Sequence, residues 1–277
     1  LQWTEDEANL VTALKGLVGV EIKVIGPTTD QHSGLHGGAI ANPLMAISQL
    51  VASMKAENGK ITIDGFYDDV SELTEEDRLD IARVPYDEEE YIKELDVTKL
   101  HGEEGYTTRE RLWARPTLDV NGIWGGYQGL GSKTVHPSEA SVKITCRLVD
   151  NQNPEKIYEL ISKHVKEKLP IGVKSEVTRL AGSADPFMMP RSHNANQIAR
   201  DVLQEVYEME PYNTRVGGSI PIMTIFLKEL GVYGIMFGFS VGDENLHAPN
   251  EFFRLKNFRR GQEAYCKLLY KLGEQSL

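Results

Sequence analysis

The chain has 277 residues, of which 40% are hydrophobic and 26% are charged, a composition typical of globular proteins rather than disordered or collagen-like ones. Its 41 acidic and 30 basic residues give a formal net charge of -11, and no basic patch of the nucleic-acid-binding kind is visible, so DNA, RNA and anionic membranes are not expected partners. No apolar run approaches the roughly 20 residues that cross a bilayer, and we expect no membrane span.

Cysteine content and the N-terminus favour a cytoplasmic location. The chain has only Cys146 and Cys266, too few for a disulfide framework, and no C-x-x-C pair indicates a structural zinc site. The first residues are polar and acidic, unlike a secretory signal. Leu1 stands where an initiator Met is expected, which is a first hint that sequence precedes it.

The first part of the chain predicts strands and one helix. Residues 18–26 alternate and are β-branched, which is typical of a strand. Asn42 and Pro43 have the residue types of an N-cap and a first helical position, and apolar residues continue at helical spacing to Met54. Residues 61–63 predict a second, short strand.

A stretch from about residue 68 to residue 111 is dense in Asp and Glu. Helices are predicted to begin near Thr74 and near Tyr86. We interpret this stretch as a solvated helical insertion. Residues 87–90 (DEEE) are compatible with a metal site, but a solvated helix face explains them more simply.

The next elements complete a recognisable order. Residues 116–120 predict a strand followed by a glycine-dense segment, residues 139–149 predict an alternating strand, residues 154–169 a helix, and residues 173–180 a last strand. With residues 61–63 as the second strand, the order is β-α-β-β-α-β, the ferredoxin-like split pattern, and the insertion falls between the second and third strands.

The pattern changes to an α/β rhythm after a boundary near residue 186. Its predicted elements are helices at residues 194–206, 223–230 and 258–272, a buried strand at residues 233–239 and a loop at residues 246–251.

Two segments between these elements have a composition that suits ligand contact. His32 and His36 stand among small residues, which let a ligand approach the backbone. Residues 131–134 (GSKT) resemble part of a phosphate-binding loop, but the full spacing is not met. Arg147, farther along, is either a solvated strand residue or a clamp for a carboxylate.

A third segment lies in the C-terminal part. Ser219 follows two glycines, but Pro221 breaks the G-x-S-x-G pattern of a nucleophile elbow, so a serine hydrolase is weakly supported. His247 lies in an acidic loop, where a neutral imidazole can serve as a metal ligand.

Five motifs in order resemble the M20 metallopeptidase family, and in particular its dipeptidase and carboxypeptidase branch with the carnosinase-type enzymes. They are HSG-x-x-GG at residues 32–38, GGY-x-G-x-G-x-KT-x-x-P at 125–137, RLV at 147–149, GGSIP at 217–221 and H-x-P-N-E at 247–251. The resemblance covers essentially the whole chain.

The resemblance implies a two-domain enzyme. An α/β catalytic domain carries two divalent metal ions, usually zinc, and a ferredoxin-like lid domain is inserted into it and forms a homodimer. On this basis residues 1–17 are the end of an N-terminal catalytic segment, residues 18–186 are the lid with its acidic insertion, and residues 187–277 are the C-terminal part of the catalytic domain.

The resemblance also assigns roles to single residues. It makes His32 the lid histidine that stabilises the oxyanion in the partner subunit's active site. Thr134 becomes a lid residue that contacts substrate. Arg147, with Gly218 and Ser219, matches positions that hold the free carboxylate of the substrate, and His247 matches a metal ligand.

The chain departs from the family pattern in one respect. The family's H-x-D segment, its bridging Asp, its Glu-Glu pair with the general base and its further Asp are not found. We therefore expect a portion of an enzyme that hydrolyses dipeptides or C-terminal peptide bonds by metal-activated water. The chain alone is expected to be inactive and to bind no metal stably. The alternative is a complete, non-catalytic module for dimerisation or binding. The motifs do not distinguish among peptide substrates or among metals.

Overall fold

The computed structural model describes residues 1–274. Its strands are β1 (Asn9–Leu14), β2 (Gly16–Ile25), β3 (Gln31–His32), β4 (Thr117–Gly125), β5 (Val135–His136), β6 (Glu139–Leu148), β7 (Lys174–Arg179), β8 (Phe187–Met188) and β9 (Tyr212–Val216). Its helices are α1 (Ser33–His36), α2 (Pro43–Ala52), α3 (Glu75–Arg83), α4 (Glu88–Glu94), α5 (Thr108–Ala114), α6 (Pro154–Lys168), α7 (Asn194–Tyr207), α8 (Pro221–Leu230) and α9 (Leu255–Glu274). None of these described helices has the length and apolar character needed to span a bilayer.

The larger sheet has four antiparallel strands in the order β4-β6-β2-β7. Its central strands pair in register along their length, with Val20 opposite Ile144. The helices α2 and α6 pack against β6 and β2. Ile22 of the sheet, Ile47 of α2 and Ile161 of α6 are fully buried in one core, so both helices present their apolar stripes to the sheet.

The two helices of this layer begin as the sequence predicts. The Asn42 side chain accepts a hydrogen bond from the Leu44 amide (2.8 Å), and Pro43 occupies the first helical position. Asn153 and Pro154 repeat the arrangement at α6. In both helices the asparagine satisfies amides that have no partner within the helix.

The strand predicted at residues 61–63 is wrong. Ile61 is buried, as a strand pattern requires, but it forms only an isolated bridge with Lys55. The Thr62 amide donates to the Met54 carbonyl (2.9 Å), just beyond α2. Because this segment bonds back to the end of α2, its backbone does not join the sheet.

Along the chain, the second strand of this sheet is instead β4. It includes most of the glycine-dense segment that follows residue 120. The acidic insertion therefore lies between α2 and β4, not between the second and third strands. Gly122 follows a register shift in the pairing of β4 with β6, which identifies a bulge in an otherwise continuous strand.

A smaller sheet in the order β8-β1-β9 joins β1, near the N-terminus, to two strands of the C-terminal part. β1 runs parallel to β9 and antiparallel to β8. Leu10 of β1 shares a buried core with Leu203 of α7, Ala264 of α9 and Phe239. The chain passes from β1 directly into β2 at Lys15, so this residue joins the two sheets.

The strand predicted at residues 233–239 is also wrong. Met236 makes an isolated bridge to β1. The Phe237 carbonyl accepts from the Tyr265 hydroxyl (2.6 Å), and the Gly238 carbonyl accepts from the Gln2 side chain (2.6 Å). Side chains therefore bond to two carbonyls that a neighbouring strand would otherwise bond to. Of this segment only Phe237 and Phe239 are buried, and its other residues are partly buried.

The acidic insertion is only partly solvated. Residues 87–90 are exposed, as predicted. In contrast, Asp77 of α3 forms ion pairs with Arg191 and with Arg215 of β9, and Asp80 accepts a hydrogen bond from Asn213 (2.7 Å). One face of α3 thus docks on the C-terminal part of the chain.

Candidate functional site

Arg147 and Ser219 meet in the structure although they lie 72 positions apart. Arg147 is near the end of β6, in register with Leu17 of β2 and Thr117 of β4. Ser219 lies in the turn between β9 and α8. The Arg147 guanidinium donates through Nη1 to the Ser219 hydroxyl oxygen over 3.2 Å. The contact therefore joins the larger sheet to the C-terminal part of the chain.

The turn that carries Ser219 is held closely against its surroundings. A Cβ atom placed on Gly217 would lie 3.3 Å from the Leu112 carbonyl oxygen of α5. The Ser219 hydroxyl donates to the Lys15 carbonyl over 2.6 Å. Its oxygen still has lone pairs for Arg147, so one hydroxyl links both sheets.

The surroundings of this contact are rich in positive charge. Lys15 is only 3% exposed. Its burial, followed by repulsion from Arg147, lowers the pKa of Lys15 to about 7. Arg115 is also close, but its charge is paired bidentately with Glu103 at 2.9 and 2.8 Å. Within residues 1–274 Arg147 forms no ion pair. Its planar guanidinium can therefore bind a carboxylate by donating two parallel hydrogen bonds.

Sequence reasoning missed Lys15. It stands in a long, mostly apolar run through β1 and β2, residues 8–22, which the structure buries. A lysine within such a run is unusual because lysine is rarely fully buried. That interruption was the signal in the sequence.

His32 and Thr134 form a second group, on a short ribbon. His32 of β3 lies opposite Val135 of β5, and the amide of Ser33 donates to the Thr134 carbonyl (3.0 Å). The Gly34 amide donates to His32 Nδ1 (3.0 Å). Since Nδ1 accepts, the proton of the neutral imidazole is assigned to Nε2, which leaves an N–H donor on an exposed ring.

The structure does not bring the two groups together. Across the described residues, no hydrogen bond or ion pair joins His32 or Thr134 to Arg147 or Ser219. A single chain therefore presents the ribbon and the Arg147–Ser219 contact as separate features.

His247 lies in an exposed turn with a left-handed backbone, at a φ of 62°. The loop around it is closed by Glu244, which is fully buried and accepts from the Val241 amide (3.0 Å) and the Arg254 amide (3.2 Å). Arg254 also pairs with Asp243 (2.7 Å). The buried carboxylate of Glu244 thus ties together the two ends of the loop in which His247 lies.

The described residues do not fit a metal centre on their own. Zinc in proteins takes about four ligands, at least three of them from side chains. Within residues 1–274 no group of three or more His, Cys, Asp or Glu side chains is arranged to hold an ion. His247 can supply one ligand only.

Two other chemistries raised by the sequence have little support in the geometry. Residues 131–134 lead into the strand β5 and not into a helix, which a phosphate-binding loop requires. The Ser219 hydroxyl contacts a guanidinium and a carbonyl oxygen, and among the described residues no imidazole bonds to it. A serine nucleophile needs such a base.

Comparison with protein families gives a match over more than half of the chain. Residues 12–173 match a family model described as the M20 peptidase dimerisation domain. This range takes in three strands of the larger sheet (β2, β4 and β6), both of its helices and the acidic insertion, and it ends just before β7.

Among curated proteins, the Cys-Gly metallodipeptidase DUG1 of Candida albicans is 32% identical over 278 residues, which cover 94% of this chain and 53% of that protein. The chain spans about half the length of the curated relatives it matches.

Two solved structures are similar in fold. The M20 family metallo-carboxypeptidase Sso-CP2 from Sulfolobus solfataricus has a TM-score of 0.79 at 30% identity, covering 95% of this chain and 61% of that one. The dipeptidase Dug1p from Saccharomyces cerevisiae has a TM-score of 0.77 at 26% identity, covering 100% of this chain and 58% of that one.

Proposed function

The chain belongs to the M20 metallopeptidase family, and we propose that it supplies the lid, the dimer surface and the substrate-carboxylate site of a dipeptidase. The observation that carries the proposal is the contact of Arg147 with Ser219. Two residues of separate motifs, one on β6 and one in the turn after β9, meet in a positively charged setting, which is the arrangement that a free carboxylate needs.

The proposed substrate is a short peptide with a free C-terminal carboxylate. Arg147 would bind the carboxylate through two parallel hydrogen bonds, while the turn of Gly218 and Ser219 fixes its position. A site that binds the free carboxylate sets the distance between the C-terminus of the substrate and the scissile bond. A short distance is consistent with removal of a C-terminal residue or cleavage of a dipeptide. The relatives named for Cys-Gly hydrolysis favour the dipeptide.

His32 and Thr134 would act in the active site of a second subunit. Their separation from the Arg147–Ser219 contact within one chain supports this assignment. The Nε2–H of His32 is a donor on an exposed ring, and a donor is what a developing oxyanion requires. Thr134 would contact substrate from the same ribbon.

A homodimer through the lid follows from the same proposal. β4 is an edge strand of the larger sheet. It exposes Val120 (43%), Ile123 (48%) and Trp124 (39%). An apolar edge strand pairs readily with another strand, and a two-fold axis lets the same strand serve both subunits.

We further propose the division of the chain into residues 1–17, the lid at 18–186 and the catalytic part at 187–277. The order β4-β6-β2-β7 with α2 and α6 supports a ferredoxin-like lid. The two cysteines form no disulfide, which supports a cytoplasmic location.

The metal centre of the proposed enzyme, with two divalent ions of which zinc is the expected kind, needs more ligands than the described residues provide. His247 is the one ligand we assign here. We therefore propose that the 277 residues alone do not hydrolyse peptides.

The test is a hydrolysis assay on two proteins, the product of the complete open reading frame that contains this sequence and the 277-residue chain alone. Each is supplied with zinc or manganese and offered Cys-Gly, β-Ala-His and other dipeptides. We expect metal-dependent cleavage by the first and none by the second. Cleavage by the 277-residue chain would overturn its predicted inactivity. No peptide cleavage by the complete product would favour a non-catalytic dimerising module.

A further inference from the structure

Lys15 is a buried cation whose partners are peptide carbonyls rather than carboxylates. Its ammonium donates to the Arg115 carbonyl over 2.6 Å and to the Arg111 carbonyl over 3.1 Å. Burying an ammonium that no carboxylate contacts is costly. The attraction of Asp119 raises the pKa of Lys15, but burial outweighs it. A methionine or leucine would fill the same space with a smaller desolvation penalty, which indicates that the hydrogen bonds of the lysine have a role of their own.

The two carbonyls lie at the end of α5 in the acidic insertion. The last carbonyls of a helix have no partner within it, and a cation there is favoured by the helix dipole. The lysine thus caps α5 and fastens the insertion to the junction of β1 and β2. Burial lowers the pKa of Lys15 to about 7. The neutral amine formed above that pH retains two N–H donors, so both hydrogen bonds to the carbonyls can persist after deprotonation.

The backbone of the same residue holds the turn that carries Ser219. The Lys15 amide donates to the Val216 carbonyl (3.1 Å), and the Lys15 carbonyl accepts from the Ser219 hydroxyl (2.6 Å). That hydroxyl in turn accepts from Arg147. One residue therefore bonds to α5 through its side chain and to the carboxylate site through its main chain.

The turn and α5 also touch directly. A Cβ on Gly217 would lie 3.3 Å from the Leu112 carbonyl oxygen, a tight contact, so the turn and the helix are close neighbours at this point. A shift of α5 would thus be passed to Ser219 by contact as well as through Lys15.

We propose that Lys15 is a positioning residue for the carboxylate site, and that it makes the orientation of Ser219 and Arg147 depend on the docked acidic insertion. This inference rests on the proposed function. The acidic insertion then contributes to substrate recognition by holding the carboxylate site in place.

The test uses the product of the complete open reading frame with its metal. The dipeptide that it cleaves best is compared with the C-terminal amide of the same dipeptide. The readout is the ratio of the two kcat/KM values, because general instability lowers both values and leaves their ratio unchanged. Lys15→Met keeps the volume and removes the donors. Lys23→Met is the matched control, since Lys23 lies on β2 in a surface ion pair with Glu139.

We expect Lys15→Met to lower the ratio about tenfold, mainly through KM for the dipeptide, in the range expected for the loss of a buried hydrogen bond. Arg147→Ala should abolish the preference, and Lys23→Met should keep it. A wild-type ratio in Lys15→Met, with the preference lost in Arg147→Ala, overturns the Lys15 proposal and leaves the proposed function standing. A wild-type enzyme without any preference for the carboxylate overturns the proposed function instead.

A second variant covers the case in which Lys15→Met does not fold. Gly217→Ala leaves Lys15 in place and pushes the turn away from Leu112. We expect a smaller fall in the same ratio. An unchanged ratio in Gly217→Ala would show that the turn does not depend on α5, which contradicts the proposal.

Discussion

Individual side chains show how burial sets charge in this protein. His164 of α6 is buried with its Nε2 2.9 Å from the Ser53 hydroxyl. Burial, with a smaller contribution from Lys168, lowers the pKa of His164. The folded state therefore holds this imidazole neutral at pH values where an unfolded chain would protonate it.

The pKa of His164 predicts how stability depends on pH. Because the folded pKa lies below the unfolded value of about 6.5, the unfolded state binds more protons as the pH falls past that value, and the free energy of unfolding decreases. The contribution of neutral His164 to the free energy of unfolding is fully present above pH ~6.5. It is lost as the pH falls from there through the lower folded pKa. Denaturant unfolding of the 277-residue chain at a series of pH values measures it. His164→Gln should flatten the slope, whereas His101→Gln, at an exposed position, should retain it. Equal slopes in the wild type and His164→Gln would contradict the assignment.

Arg147 and Ser219 illustrate what a sequence can and cannot predict about a site. Their residue types and motifs were visible, but their meeting across 72 positions followed only from a family resemblance and not from any spacing. Lys15 was missed because its role depends on two carbonyls of a helix about a hundred positions away. A lysine in an apolar run shows that an unusual burial is present, but residue types do not show which distant main-chain carbonyls it contacts.

Secondary-structure elements were predictable where their signals are local. The Asn–Pro starts of α2 and α6 depend on neighbouring residues, and both were correct. Residues 61–63 and 233–239 are apolar segments that predict strands, yet neither joins a sheet, because other groups take their backbone hydrogen bonds. An apolar pattern indicates which residues are turned away from solvent, and it does not indicate which strand is next to them.

The docking of α3 is an interaction between elements that the acidic composition concealed. Asp77 forms ion pairs with Arg191 and with Arg215 of β9, and within α3 it completes a capping box with Thr74. The formal charge of the insertion is thus partly neutralised by cations from the C-terminal part of the chain.

Asp77→Asn should loosen this docking. The change keeps the side-chain shape but removes the charge that two arginines contact, which predicts a loss of about 1–3 kcal/mol in the free energy that holds α3 in place. Hydrogen exchange of the amides in α3 should quicken. Glu75→Gln is the matched control, because Glu75 is an exposed residue in the first turn of the same helix. Unchanged exchange in Asp77→Asn would show that the ion pairs do not hold the helix.

At the scale of the whole molecule, the two sheets are joined at Lys15 and bridged again by Arg147 and Ser219. The proposed carboxylate site lies at this bridge, and within the described residues the ribbon with His32 and Thr134 makes no contact with it. The proposed dimer would complete the site by supplying the ribbon of a second chain.

The proposed homodimer predicts a mass and a variant that changes it. Sedimentation equilibrium of the 277-residue chain at high micromolar concentration should give twice the mass of 31.0 kDa. The double change Val120→Arg and Ile123→Arg places charge on the exposed edge strand β4 and should shift the protein to monomer without unfolding it. Leu95→Arg, at an exposed position in the insertion, is the control and should remain dimeric. A wild-type chain that is monomeric throughout this range would count against the assembly.

The central claim is that Arg147 and the Gly218–Ser219 turn bind the free carboxylate of a peptide. The most direct measurement is a crystal structure of the complete open reading frame product with a dipeptide analogue whose scissile amide is replaced by a phosphinate. We predict that the carboxylate lies about 2.7–2.9 Å from the guanidinium nitrogens of Arg147, as in charge-assisted pairs, and against the turn. A carboxylate that contacts neither Arg147 nor the turn would contradict the account.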